Sequence, residues 1–121
     1  MERDGYDVII LGGGPAGFTA GLYTTRAMLK TLLLERGPIG GQAGSTDTID
    51  NYPGFPEGVK GPELMERFQK QAERFGLELK LDAATSIMAR GKERIVFAGE
   101  KEYVARAVII ATGSDPNKLG V

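Results

Sequence analysis

The sequence predicts an α/β fold: a parallel sheet with helices and a small antiparallel β-meander attached. Three observations carry this. The apolar run Val8-Ile9-Ile10-Leu11 lacks polar alternation, as a strand buried on both faces requires, and it breaks into Gly12-Gly13-Gly14 before a helix-forming stretch. A second apolar run, Thr31-Leu32-Leu33-Leu34, follows that helix, giving the strand-helix-strand order of parallel units. Later apolar stretches are separated by Gly91-Lys92 and Gly99-Glu100, as in an up-and-down ribbon.

Taken in order, the first strand is expected over residues 8–11. Pro15 falls in the first turn of the next helix, where its missing N–H removes no hydrogen bond. This helix is expected to reach Leu29 or Lys30, with Ala16, Ala20 and Ala27, beside Gly17 and Gly21, making a thin face for close packing on a sheet. Residues 31–34 form the second strand. From 37 to 61 the chain is rich in glycine and proline and reads as a long loop, which in a compact domain is functional or disordered; its particular residues favour function.

Gly61-Pro62-Glu63 opens a second helix with a stripe of Leu64, Met65, Phe68, Ala72 and Phe75, and Gly76 stands at its stop. Phe68 and Phe75 read as core. Leu77, Leu79 and Leu81 alternate with polar neighbours, as in a strand with one wet face. Residues 85–90, 94–98 and 102–105 form the meander, and 107–111 a final buried strand ending at Thr112-Gly113.

The 121 residues correspond to one domain, 1–121. A net charge of −1, with 15 basic residues scattered along the chain, gives no basic field, so neither nucleic acid nor an anionic membrane is implied as a partner. No apolar run is long enough to span a bilayer, and Met1-Glu2-Arg3-Asp4 does not open a secretion signal, so a cytoplasmic location is expected. There is no cysteine and no histidine, which removes disulfides, thiolate nucleophiles and redox dithiols, and also the usual acid–base group and metal ligand. Chemistry must come from a bound cofactor or another chain; no catalytic residue or metal site is expected in these residues.

Gly12, Gly14 and Gly17 satisfy G-x-G-x-x-G between strand and helix, and Glu35 ends the next apolar run. In such a turn Gly12 permits the bend, Gly14 lets a pyrophosphate approach the backbone, and Gly17 lets helix and strand pack closely. The helix start offers N–H groups and partial positive charge to phosphate. Glu35 is placed to accept from the ribose hydroxyls of adenosine. The pattern points to a dinucleotide site; as a plain turn, three adjacent glycines would carry an entropic penalty for no gain.

With Gly40-Gly41-Gln42, Asp50-Asn51-Tyr52-Pro53-Gly54-Phe55-Pro56, Gly61-Pro62-Glu63-Leu64-Met65 and Ala111-Thr112-Gly113, this fingerprint resembles the flavin domain of the thioredoxin reductase family, the low-molecular-weight pyridine nucleotide-disulfide oxidoreductases. The resemblance covers the chain in order and implies a Rossmann-like FAD-binding domain lacking the NADPH domain. It implies that Gly12, Gly13, Gly14, Pro15, Ala16 and Gly17 hold the FAD pyrophosphate, with Glu35 on the ribose and Arg36 beside the adenine. Gly41 and Gln42 would follow the ribityl chain and flavin edge, Asn51 would bond near the flavin, and Ala84 would give backbone contacts to adenine. Ala111, Thr112 and Gly113 would close over the cofactor.

An amide offers donor and acceptor together to a ring edge, although Gln42 and Asn51 also suit turns. Arg36 could instead suit an NADP 2′-phosphate, which the Glu35 carboxylate opposes. Tyr23 and Tyr52 are open between flavin neighbours and ordinary packing.

The resemblance further implies electron flow from NADPH through FAD to a disulfide and a thioredoxin-like acceptor, in a homodimer. The NADPH domain with its C-x-x-C dithiol, and a return segment with a Gly-Asp motif, would lie beyond Lys118-Leu119-Gly120-Val121 or in a second chain, leaving these residues inactive alone. Two other readings stay open: a stand-alone nucleotide-binding module without redox turnover, and the flavin domain of a ferredoxin–NADP reductase of the same fold.

Overall fold

The computed structural model describes residues 5–113; Met1-Glu2-Arg3-Asp4 and Lys118-Leu119-Gly120-Val121 lie outside the described residues. The elements are β1 (Gly5–Leu11), α1 (Pro15–Arg26), β2 (Thr31–Glu35), α2 (Gly41–Ser45), β3 (Thr48–Ile49), β4 (Val59–Lys60), α3 (Gly61–Arg74), β5 (Glu78–Leu81), β6 (Ser86–Arg90), β7 (Glu93–Ala98) and β8 (Lys101–Ile110). One mixed sheet has the order β5-β2-β1-β8-β7-β6, and β3 and β4 form a separate antiparallel pair. β1 lies parallel to β2 and to β8, with Leu11 opposite Leu34 and Ile110. β5 lies parallel to β2, so four strands end along one edge of the sheet.

Alternate residues of the parallel strands enter two cores. Val8, Ile10 and Leu33 pack with Phe18 of α1 and with Met65 and Ala72 of α3. Ile9, Leu11, Leu32 and Leu34 pack with Val96, Ala98, Tyr103 and Ala105, so the antiparallel strands cover the other face. Apolar burial of this kind contributes about 25 cal/mol per Å², which is why β1 and β2 read as uninterrupted apolar runs.

The meander and the last strand were expected as separate units; they share β8, a single ten-residue strand. Its first half pairs antiparallel with β7 and its second half parallel with β1, with Val104 and Ala105 bonded on both sides. Arg106 interrupts the apolar pattern without a turn residue, so pairing carries the strand through it. The end of β8 is not buried as expected: Ile110 is 68% exposed, because β7 stops pairing at Ala105.

Residues 37–61, expected as a loop, hold α2 and the β3–β4 pair, elements too short for a sequence period to reveal. The buried face of α1 is Gly17, Phe18, Gly21 and Thr25, while Ala16 and Ala27 are exposed. Phe75, expected in the core, is 38% exposed at the C-cap of α3, with the Arg74 and Arg26 guanidinium groups 5.1 Å and 5.8 Å from its ring centroid. Phe68 packs half-buried against the helical core. In β5, Leu79 packs against that core but Leu81 is 70% exposed.

α1 ends at Arg26, short of Leu29, in a left-handed stop without glycine. Met28 has φ +66, its N–H donates to the Thr25 carbonyl at 2.9 Å, and the Leu29 N–H donates to Thr24 at 3.0 Å. Met28 is 91% exposed, so its side chain gains little from packing while its backbone bears the left-handed penalty. Met28→Gly should therefore stabilise the chain by about 1 kcal/mol, read as a raised urea midpoint at unchanged slope.

Candidate functional site

The site is built at the edge where β1, β2, β5 and β8 end, the side on which parallel α/β sheets place ligands. β1 hands over to α1 through a turn in which two glycines are demanded by the protein itself. A Cβ on Gly12 (φ +117) would overlap the Ala111 carbonyl, and one on Gly17 would overlap the Gly12 carbonyl oxygen. Gly14 differs: a Cβ there would meet nothing nearer than the Gly40 carbonyl at 3.7 Å, and one on Gly41 only the Gly14 Cα at 3.6 Å. Those two glycines sit side by side, at ordinary contact distance, in the wall of the cleft.

Gly14 is the N-cap of α1 and makes no side-chain capping bond; Pro15 follows and the first turn carries no acid. The Ala16 and Gly17 N–H groups precede the first intrahelical bond, Phe18 N–H to Gly14 carbonyl at 3.1 Å, so the positive end of the helix meets the cleft without a capping side chain.

Glu35, at the end of β2, fixes the other wall. Its Oε1 accepts from the Gly13 N–H at 2.6 Å and its Oε2 from the Gly37 N–H at 2.8 Å. The Gly40 N–H donates to the Gly13 carbonyl at 2.6 Å, so the segment after β2 grips the glycine turn twice.

Two adjoining concavities result. The larger, about 790 Å³, is lined by residues 13–16, 35–39, 41, 43–45 and 111–113. The smaller, about 230 Å³, is lined by Leu11, Gly12, Leu34, Glu35, Arg36, Asp82, Ala84 and Thr112. Of the expected site residues, Gly13, Gly14, Pro15, Ala16, Glu35, Arg36, Gly41, Ala111, Thr112 and Gly113 meet at the first, and Gly12 and Ala84 at the second. Gly17 lies buried beneath them.

Asn51 is exposed on the turn after β3 and lines neither concavity. Gln42 contributes its backbone to α2, and its side chain lies outside the described residues. Tyr52 packs on Phe68 and Phe55, at 5.6 Å and 6.1 Å between ring centroids, and Tyr23 is 68% exposed on α1. Sequence reasoning missed Pro38, Ile39, Ala43, Gly44 and Ser45, which line the cleft without any chemical signature. It also missed Asp82, which follows the alternating strand β5; its N–H donates to the Glu35 carbonyl at 3.0 Å.

Asp82 accepts from the Tyr103 hydroxyl at 3.0 Å and lies 3.5 Å from the Lys101 Nζ. The Tyr103 hydroxyl holds the Asp82 carboxyl below its ordinary value; partial desolvation opposes this and Lys101 reinforces it. Burial, and then the neighbouring carboxylate, push the Tyr103 hydroxyl up.

Among the described residues no cluster of three or more His, Cys, Asp or Glu could hold a metal, and no helix is long and apolar enough to cross a membrane. A cleft lined by a helix N-terminus and by a carboxylate fixed on two backbone N–H groups suits a ligand that carries a diphosphate and a sugar.

Comparison with known proteins gives a concordant result. Residues 6–121 match the family model for pyridine nucleotide-disulphide oxidoreductases. The chain is 49% identical over 120 residues to thioredoxin reductase of Bacillus subtilis, covering 99% of this chain and 38% of that protein. It superposes on the crystal structure of Lactococcus lactis thioredoxin reductase with a TM-score of 0.88 and 43% identity, over 96% of this chain and 38% of that one. A ferredoxin-flavin thioredoxin reductase from Clostridium acetobutylicum gives a TM-score of 0.86 and 29% identity, over 96% and 40%.

The two kinds of glycine should respond differently to substitution. Gly17→Ala should destabilise the chain by about 3 kcal/mol, the upper part of the overpacking range, whereas Gly14→Val should change stability by less than about 1 kcal/mol, both read by urea denaturation. The lowered Asp82 carboxyl stabilises the fold above the ordinary carboxylate range, and this contribution is lost as pH falls through the lowered value. The acid limb of the denaturation midpoint, followed from about pH 6 to about pH 2, should therefore be flatter in Tyr103→Phe than in wild type.

Proposed function

The chain belongs to the pyridine nucleotide-disulphide oxidoreductase family, and from that premise we propose that it binds FAD along the C-terminal edge of its parallel strands. One observation carries the reading: a helix N-terminus that no side chain caps opens on the cleft lined by Gly14 and Gly41. In this reading the turn 12–17 receives the pyrophosphate through backbone N–H groups. Glu35 accepts from the adenosine ribose, and Arg36 and Ala84 border the adenine at the smaller concavity. Gly41, Gln42 and the segment 111–113 follow the ribityl chain toward the flavin, and Asn51 bonds near the ring.

A flavin held there supplies hydride acceptance and electron transfer to a disulfide. The chain's own residues bind and orient it; with no cysteine or histidine they provide neither dithiol nor imidazole. The chain spans about 38% of the length of its Bacillus subtilis relative. We therefore assign the NADPH site and dithiol to residues outside these 121, in the same polypeptide or a second chain, with a thioredoxin-like acceptor, a homodimeric assembly and a cytoplasmic setting. Alone, the chain should not turn over.

The purified chain, alone or mixed with the completing polypeptide, should take up FAD, seen by visible absorbance and by mass spectrometry of the released nucleotide. Tighter binding of NADP than FAD, or no flavin uptake in either setting, would sink the reading. Gly14→Val should abolish binding by filling the diphosphate position while leaving the chain folded. Glu35→Ala should weaken FAD by about 1–3 kcal/mol, the scale of lost charge-assisted hydrogen bonds, as titrated by flavin fluorescence.

A further inference from the structure

The crossing from β5 to β6 is short and pinned at both ends. It begins where the Asp82 N–H extends the β2 ladder onto the Glu35 carbonyl, and it ends where Thr85 gives its N–H (2.7 Å) and its hydroxyl (3.1 Å) to the Phe97 carbonyl. Between these points the Asp82 carboxylate folds back on its own segment. Oδ1 accepts from the Ala83 N–H at 3.1 Å, while Oδ2 accepts from the Tyr103 hydroxyl at 3.0 Å with the Lys101 Nζ at 3.5 Å. Tyr103 is 8% exposed within the core beneath the meander; Ala84 packs against that same core, and the Lys80 Nζ lies 5.1 Å from the Tyr103 ring centroid. Asp82 and Ala84 both line the smaller concavity. Protein donors thus occupy both carboxylate oxygens of a residue at the wall of the site.

We infer that Asp82 is a positioning residue: anchored on Tyr103, it fixes the Ala83–Ala84 backbone against the smaller concavity and so sets the affinity for the adenine end of a nucleotide. The inference rests on the reading of the cleft as a dinucleotide site. Backbone groups recognise the edge of a base only when their direction is fixed beforehand, because ordering them on binding subtracts from affinity. The crossing has no regular structure of its own; the Glu35 and Phe97 carbonyls hold its ends, and between them the carboxylate, with the tyrosine behind it, holds the Ala83 N–H.

Tyr103→Phe removes the hydroxyl and keeps the ring in the core. In the 121-residue chain, FAD and ADP should each bind about three- to ten-fold more weakly to Tyr103→Phe and to Asp82→Ala, a modest hydrogen-bond effect. The two ligands should lose equally, since they share the adenine. Asp82→Asn should recover most of what Asp82→Ala loses, because its amide can accept from Ala83 and donate to the Tyr103 oxygen. Amide exchange at Ala83 should speed up in Tyr103→Phe and Asp82→Ala, while the Gly13 and Gly37 amides held by Glu35 keep their rates. Unchanged affinity in a folded Tyr103→Phe protein would overturn the inference. So would an Asp82→Asn protein as weak as Asp82→Ala, which would mean that the carboxylate acts by charge. Wild-type protein binding neither ligand would bring down the cleft reading and this inference with it, a failure visible before any substitution is made.

Discussion

Backbone packed directly on backbone at Gly12 and Gly17 is the constraint on which the rest of the molecule depends. β1 sits between two parallel neighbours, and α1 must fold back over the same sheet. That return is possible only because Gly17 lies against the Gly12 carbonyl and Gly12 against the Ala111 carbonyl without a Cβ between them. The approach seats Phe18 at 1% exposure in the core, and it also brings the start of α1 to the edge where the strands end. Core packing and an anion-ready helix terminus are one geometric event here. Gly14 stands apart, because the fold leaves room for a side chain there.

The second face of the sheet shows how the far wall of the cleft is made. Where a helix would cover the sheet in a doubly wound fold, β7 and the first half of β8 supply the covering side chains. β8 makes this arrangement rigid, because one continuous strand is held by β7 at its start and by β1 at its end. Tyr103 and Ala98 thereby reach Leu11 and Leu34, and the chain leaving β5 must pass the strand ends beside Glu35. The smaller concavity exists because the covering layer is a ribbon whose entry crosses there.

What could be read in the sequence was the part governed by local chemistry. Continuous apolar runs gave β1 and β2, Pro15 and Pro62 marked helix starts, and Gly76, at φ +103, marked the end of α3. The helix stop at Met28 was illegible because a methionine in the left-handed region carries no signal. The continuity of β8 was illegible because Arg106 looks like a break until two pairing partners are known. α2 and the β3–β4 pair depend on tertiary contacts and leave no period. The site divides in the same way. Residues chosen for chemistry, such as Gly14 and Glu35, stood out, while Pro38, Ile39 and Ser45, which lend only surface, did not. Asn51 was expected from a motif, and its turn sits away from both concavities.

Under the proposed reading, the Glu35 wall of the cleft needs little rearrangement to receive a nucleotide. Its two oxygens already accept from Gly13 and Gly37, one bond each. A carboxylate has about four lone-pair sites, so ribose hydroxyls can add without displacing either amide. Under the proposed reading, the charge that would attract the sugar is the same charge that locks the glycine turn, and the turn is set before any ligand arrives. A neutral residue at 35 could serve one of these tasks but not both, since an amide has a single acceptor oxygen and its nitrogen would face one of the two N–H groups. The acid at the end of β2 is therefore used by the protein's own backbone, and under the proposed reading the same group also serves the nucleotide's ribose.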